Sequence, residues 1–179
     1  RSNNRTVLDT GFGCGDQLKV WLEQYQVNNL MGINLSTSQT EMAKQLIARS
    51  NLPDSAIVQL ITGDCCTVEN WKTVPNDVQR ILALDCLYHF QNKQQYFKLC
   101  GKHLASDGVL AVSDLVLHKP IGNLFHKCLL KLICALSHIP YENLQTLEAY
   151  DKNLNAAGLQ LVQTKDVSDQ VFIPFGIWL

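Results

Sequence analysis

Val7-Leu-Asp-Thr-Gly11-Phe-Gly13-Cys-Gly15, followed by Asp16 and by Leu18, Trp21, Leu22 and Tyr25, is the stretch that decides the fold. Thr6 to Asp9 has the character of a short strand, and the apolar residues after Asp16 recur at helical spacing to about Gln26. Between them the chain turns through glycine at every second position. Such a turn lets a ligand approach bare backbone, while amide groups at the helix start face it. The spacing speaks against a dinucleotide, whose fingerprint is GxGxxG. Here the glycines stand at 11, 13 and 15, and Asp16 fills the last slot.

Working outward, apolar clusters alternate with helix-length segments, the pattern of a parallel sheet built from crossover units. Leu30 to Asn34 is a second strand, and Ser36 with Gln39 forms a capping box for a helix running to about Asn51. Ala56 to Thr62 is predicted as strand three, Gln79 to Asp85 as strand four and Val109 to Asp114 as strand five. Tyr96, Phe97, Cys100 and Leu104 mark the helix between the last two. Ile121, Leu124, Phe125, Cys128, Leu129, Leu132, Ile133 and Leu136 make an i, i+3, i+4 stripe that must be covered. It reads as a core helix, as a lid over a greasy substrate, or as a helix lying on a membrane surface, and core packing is favoured. It is too polar to span a bilayer. Thr146 caps a further helix with Leu147, Tyr150 and Leu154 inward and Gly158 as its stop, before Leu159 to Thr164 as strand six. The sequence thus predicts one α/β domain over residues 1–179, a doubly wound, mostly parallel sheet with a helical lid-like insert at about 119–142.

The chain has 179 residues, 46% of them hydrophobic and 17% charged, which excludes a disordered or coiled-coil protein. A net charge of −1 with no basic stripe argues against nucleic acid as a partner. Seven cysteines at irregular spacing read as free thiols, which points to the cytoplasm, and no pair has zinc-ligand spacing. No metal is expected. The sequons at Asn4 and Asn34 read as chance matches. The hydrophilic start gives no sign of a signal peptide. That abrupt start and the apolar end, Val171 to Leu179, suggest that terminal elements of a longer parent fold are missing.

The glycine-rich stretch resembles the first motif of the class I S-adenosylmethionine-dependent methyltransferases. Gly32-Ile-Asn-Leu-Ser36 with Gln39 is similar to the small-molecule subgroup that contains cyclopropane-fatty-acid synthases and sterol and tocopherol methyltransferases. Gly63-Asp64-Cys65 resembles the family's adenine-binding turn, and Leu84-Asp-Cys-Leu-Tyr-His-Phe90 its segment after strand four. The resemblance spans nearly the whole chain. It implies a Rossmann-like sheet ordered 3-2-1-4-5-7-6, with the cofactor S-adenosyl-L-methionine across the carboxyl ends of strands one to four. The seventh strand has no counterpart beyond the short Val171 to Phe175.

The resemblance points to Asp9, Gly11, Gly13, Gly15, Asn34, Leu35, Gln39, Asp64, Cys65 and Asp85 for the cofactor; Tyr88 and His89, which follow strand four where an open α/β sheet exposes its reactive edge, are the candidates for catalysis, a structural histidine being the alternative. Asp9 would orient the glycine loop or the cofactor's amino group; otherwise it caps the turn. A Cβ at Gly13 would obstruct the ligand. Asn34 departs from the usual carboxylate, which accepts from both ribose hydroxyls, because an amide accepts at one atom and donates from the other. Asp64 would receive the adenine amino group and the Cys65 amide a ring nitrogen, whereas Gln39 is otherwise only the cap partner. Asp114 is a plausible pocket residue.

The implied activity is methyl transfer to a small, lipophilic acceptor. His89, helped by Tyr88, would take the proton of a hydroxyl or amine acceptor, whereas a carbon acceptor would need support for a developing cation. The rival readings are a degenerate methyltransferase fold acting as a non-catalytic binding partner and, third, a nicotinamide enzyme. Oligomeric state is not legible.

Overall fold

The computed structural model describes residues 6–50, 52 and 55–171. At its centre lies β1 (Thr6–Thr10), every residue of which is buried. It can be so because parallel neighbours flank it on both edges, β2 (Asn29–Asn34) and β4 (Val78–Ala83). With β3 (Ile57–Thr62) outside β2 and β5 (Leu104–Val112) outside β4, the order is β3-β2-β1-β4-β5. The order reverses between β1 and β4, which is where an open α/β sheet leaves a crevice at its carboxyl edge.

Alternation along the strands divides the core in two. Val7 and Leu30 point to one face, where α1 (Asp16–Glu23) and α2 (Thr37–Ala48) supply Leu18, Leu22 and Ala43. Leu8, Met31, Ile33 and Ile81 point to the other, under Tyr96, Phe97 and Cys100 of α3 (Lys93–His103) and Tyr150 and Leu154 of α5 (Leu147–Ala156). The expected doubly wound sheet is therefore present. Asn92 and Thr146 cap α3 and α5 through their side chains, and Gly158 takes the left-handed backbone that stops α5. Leu147, expected inward, is exposed.

Several boundaries differ for physical reasons. Strand four ends at Ala83, short of Asp85, because Asp85 adopts a positive φ of 56° that no ladder accommodates. Strand five begins earlier, at Leu104; the Ser106-Asp107-Gly108 turn lies within it as a break in register, so that Leu104 pairs with Val78 but Val109 with Arg80. Leu159 to Thr164 is not a strand: Leu159 and Leu161 pack on the core, yet no hydrogen-bonded ladder forms beside them among the described residues. The predicted Val171 to Phe175 strand is absent at Val171, which is helical, and its remainder lies outside the described residues.

Between β5 and α5 the chain makes an excursion. Its neck is a parallel pair, β6 (Val116–Leu117) with β7 (Gln145–Thr146), that the sequence did not disclose. It carries α4 (Leu124–Leu136), capped by Asn123. The favoured core reading of this helix is overturned: only Cys134 is buried, and Leu124, Phe125 and Leu136 are more than 70% exposed. Lys131, itself exposed, lies over the Tyr141 ring, and most of the apolar stripe faces out. No helix among the described residues is long and apolar enough to cross a membrane.

A buried ion pair ties this neck to the sheet. Lys93 Nζ, at the start of α3, lies 2.5 Å from Asp114 Oδ2, with the two side chains 5% and 3% exposed. The same ammonium donates to the Asn143 carbonyl at 3.1 Å and sits over the Tyr150 ring. Burial pulls the Lys93 ammonium downward, opposed by Asp114. Removing one partner leaves a buried charge alone, which costs about 3–5 kcal/mol, whereas replacing both with apolar residues is often neutral. Lys93→Met should therefore lower the denaturation midpoint sharply, and Lys93→Met with Asp114→Leu should recover most of the loss. Equal loss in both variants would contradict this.

Candidate active site

Four loops meet at the carboxyl edge of β1 to β4 and are bonded to one another through backbone. Gly11 N–H donates to Ile33 O at 2.8 Å, and Gly63 N–H to Asn34 O at 2.9 Å. The Cys86 thiol reaches Thr10 O at 3.2 Å and the Cys65 thiol reaches Ile33 O at 3.4 Å. The glycine loop, the Asn34 turn, the Gly63 turn and the Asp85 segment thus form one rim.

The glycines have three separate tasks, all at positive φ. A Cβ on Gly11 would stand 2.6 Å from Cys86 Sγ, and one on Gly15 would stand 2.7 Å from Ala43 Cβ. Those two glycines allow the loop to touch the strand-four segment and α2. A Cβ on Gly13 would meet nothing within 4 Å. Gly13 is therefore the glycine whose open face is available to a ligand.

Asp9 is fully buried, and both its oxygens are taken: Oδ1 by Gln17 Nε2 and Oδ2 by Trp21 Nε1, each at 2.7 Å. Through these two bonds it braces α1 behind the loop. Burial pushes its carboxyl up to about 7, against the two hydrogen bonds.

Asn34, also buried, resolves its own ambiguity. Its Nδ2 donates to Gln39 Oε1 at 3.1 Å and to Ser36 O at 3.4 Å, so its carbonyl oxygen is the atom left to accept from a guest. Ser36 Oγ accepts from Gln39 N–H, half of the expected capping box; the Gln39 side chain serves Asn34 instead. Leu35 beside them is 73% exposed, an apolar flap at the rim. Asp64 Oδ1 accepts from Cys66 N–H at 2.8 Å, and its own carbonyl is held by Asn70. Cys65 is buried, its thiol pushed well upward by desolvation.

The strand-four segment projects outward. Asp85 and His89 are exposed and Tyr88 is half-buried. Ser113 Oγ holds the strained Asp85 N–H at 2.7 Å, and Asp85 Oδ1 accepts from the Tyr88 hydroxyl at 2.7 Å. Desolvation and that carboxylate push the phenol upward, so Tyr88 stays a donor and is no base. Its ring lies 4.5 Å from that of His89, whose Nδ1 is 3.2 Å from the His138 carbonyl. Two residues that the sequence did not single out hold this segment. Asn143 Nδ2 donates to Tyr88 O and Phe90 O at 2.9 and 2.7 Å, and Lys93 fixes Asn143 in turn. Asp114 is spoken for by Lys93 and Leu115 N–H and does not line the crevice as a free acid.

Among known proteins, the mycolic acid cyclopropane synthetase family matches residues 2–178. The chain belongs to that family. It is 30% identical over 183 residues to erythromycin 3''-O-methyltransferase of Saccharopolyspora erythraea, covering 99% of this chain and 58% of the relative. Cyclopropane mycolic acid synthase 1 of Mycobacterium tuberculosis is 32% identical over 113 residues, 62% of this chain and 36% of the relative. The crystal structure of mycolic acid cyclopropane synthase CmaA1, complexed with SAH and CTAB, shares the fold with a TM-score of 0.77 at 21% identity, covering 98% of this chain and 61% of that one. The chain thus spans about 58% of the length of the erythromycin relative. The methyltransferase resemblance read from the motifs is correct, and the Rossmann-like fold of this family is the one observed.

Within this synthetase-family fold, Gln17 and Trp21 carried a signal: they sit one helical turn apart, on the face α1 turns to β1. Lys93 and Asn143 carried none, since their partners lie 21 to 55 residues away.

Two outcomes follow from the geometry. Gly15→Ala should lower thermal stability well beyond the ~1 kcal/mol that a left-handed alanine costs, and Gly13→Ala should not exceed it; a reversed ranking in denaturant melts would contradict the division of tasks. Because the Asp9 carboxyl is raised from 3.8 to about 7, it contributes most to stability below pH 3.8 and loses that contribution as pH rises to about 7. In Asp9→Asn the Gln17 amide can turn over to accept, so its stability relative to the parent should climb across that interval. A difference independent of pH would show that Asp9 is ionised throughout.

Proposed function

We propose that the chain is the cofactor-binding, methyl-transferring domain of an S-adenosylmethionine-dependent methyltransferase whose acceptor is a hydroxyl on a small lipophilic molecule. The observation that carries the reading is that Gly13's open face and the Asn34 side-chain carbonyl, left free by Gln39, lie on two loops bonded to each other through Gly11 N–H and Ile33 O. That pair fits a nucleoside: a cradle that a side chain would fill, beside a buried acceptor suited to a ribose hydroxyl. Family membership and the O-methyl transfer for which the erythromycin relative is named support the acceptor class. A nicotinamide enzyme and a non-catalytic partner have no observation of their own to favour them.

Bound S-adenosylmethionine would supply a methyl group already activated by a sulfonium, so the protein's part is mainly to align an acceptor and exclude water. Asn34 Oδ1 would accept from the ribose, Asp64 and the Cys65 amide would hold the adenine, and the exposed Leu35 would lie against it. A neutral amide is worth about 0.5–1.5 kcal/mol as an acceptor against about 1.5–3 for a carboxylate, so affinity is moderate and binding survives. His89 removes the acceptor's proton, and Tyr88, whose hydroxyl hydrogen goes to Asp85, packs beside the imidazole. The insert at 119–142, with its outward apolar stripe, serves as the lid that a greasy acceptor would meet. A net charge of −1 favours a small-molecule acceptor over a nucleic acid. The free cysteines among the described residues fit a reducing compartment such as the cytoplasm.

Calorimetry with the intact protein should show S-adenosylhomocysteine binding, and no binding would remove the proposal. In a screen of lipophilic alcohols, His89→Ala should lower methyl transfer by roughly 10²–10⁴-fold with unchanged cofactor affinity. An unchanged rate would point to a carbon acceptor that needs no base.

A further inference from the structure

We infer that the turn after α4 selects the tautomer of His89, and that His138 is therefore a positioning residue for the reaction. The chain leaves α4 through a Schellman turn: Ile139 N–H donates to Cys134 O at 2.9 Å and His138 N–H to Ala135 O at 3.3 Å. Position 138, where glycine is usual, has φ of 54° with a histidine in place. A left-handed backbone at a residue with a Cβ costs about 1 kcal/mol and persists only where the surroundings over-determine it. Its effect is to aim the His138 carbonyl at His89, 3.2 Å from Nδ1.

A backbone carbonyl only accepts, so Nδ1 must carry the hydrogen and Nε2 must be the bare nitrogen. Free neutral imidazole of histidine favours the opposite arrangement, with the hydrogen on Nε2. The ring is further fixed from the side by Tyr88, whose centroid lies 4.5 Å away, and Tyr88 O is pinned by Asn143 Nδ2. Both supports, His138 and Asn143, belong to the excursion between β5 and α5, so the segment that carries the lid helix also prepares the base.

This inference rests on the reading of His89 as the base. In the reaction so prepared, the acceptor O–H gives its proton to Nε2 as the oxygen takes the methyl carbon. The C–S bond breaks with its electron pair going to sulfur, the sulfonium becomes a neutral thioether, and the imidazolium later returns its proton to water.

The test is ring-nitrogen NMR of the intact protein labelled with 15N-histidine, the His89 signals being assigned by their loss in His89→Gln, alongside methyl transfer. Expected is a protonated Nδ1 and an unprotonated Nε2 in the neutral ring. His138→Gly, which keeps the turn and its carbonyl, should leave both the spectrum and the rate in place. His138→Pro cannot adopt the positive φ and has no N–H for the turn. It should move the hydrogen toward Nε2 and lower methyl transfer by up to roughly 10²-fold with unchanged affinity for S-adenosylhomocysteine. Because α4 lies on the surface with only Cys134 buried, the melting curve of that variant should stay close to the parent's. An Nε2–H ring in the parent, or an unaltered ring in His138→Pro, overturns the inference. A parent ring protonated on Nδ1, together with full activity in His89→Ala, would leave the tautomer standing and sink the base reading instead.

Discussion

The contact between Gly15 and Ala43 governs the rest of the site. A Cβ at position 15 would come within 2.9 Å of the Ala43 backbone as well as 2.7 Å of its side chain, so α1 reaches its place against α2 only because neither residue has bulk there. From that seating, Gln17 and Trp21 reach down to Asp9, and the loop from Gly11 to Gly15 is held between α1, the Ile33 carbonyl and Cys86. Gly13 is left at the loop's outer bend with open space beside it. The open space beside Gly13 is a consequence of close packing on either side of it.

Electrostatics at the rim follow from the same economy of charge. Asp9 is shielded and raised, Asp114 is neutralised by Lys93, and Asn34 is an amide whose direction is set by another amide. The exposed Asp85, beside Tyr88 and His89, is the carboxylate left at the strand-four edge, with Asp64 at the strand-three edge. A cationic sulfonium guest would thus meet a crevice of dipoles with acid at two margins, rather than a ring of carboxylates that would hold water tightly.

Much of this was legible in the sequence because it is written in short-range periodicity. The five strands, the capped helices and the glycine loop are each specified by residues within a dozen positions of one another. What escaped was long-range or directional. The periodicity of Leu124 to Leu136 specifies an amphipathic helix but does not say which face meets the protein, and here Cys134 turns inward while Leu124, Leu132 and Leu136 turn out. Asp9 reads as a motif carboxylate, yet only the fold reveals that two side chains of α1 occupy it. Leu159 to Thr164 alternates like a strand, but alternation is satisfied by packing Leu159 and Leu161 without a ladder. Lys93 and Asn143 look like ordinary polar residues until the chain closes around them.

The central claim is that a ribose is read by the carbonyl of Asn34 beside the open face of Gly13. Comparing the calorimetric affinities of S-adenosylhomocysteine and its 2'-deoxy and 3'-deoxy analogues, for the parent and for Asn34→Ala, tests it directly. The account expects at least one deoxy analogue to bind the parent more weakly by about 0.5–1.5 kcal/mol, the worth of one neutral hydrogen bond, and that difference to vanish in Asn34→Ala. Equal affinities in the parent, or a difference that persists without the Asn34 side chain, would contradict it.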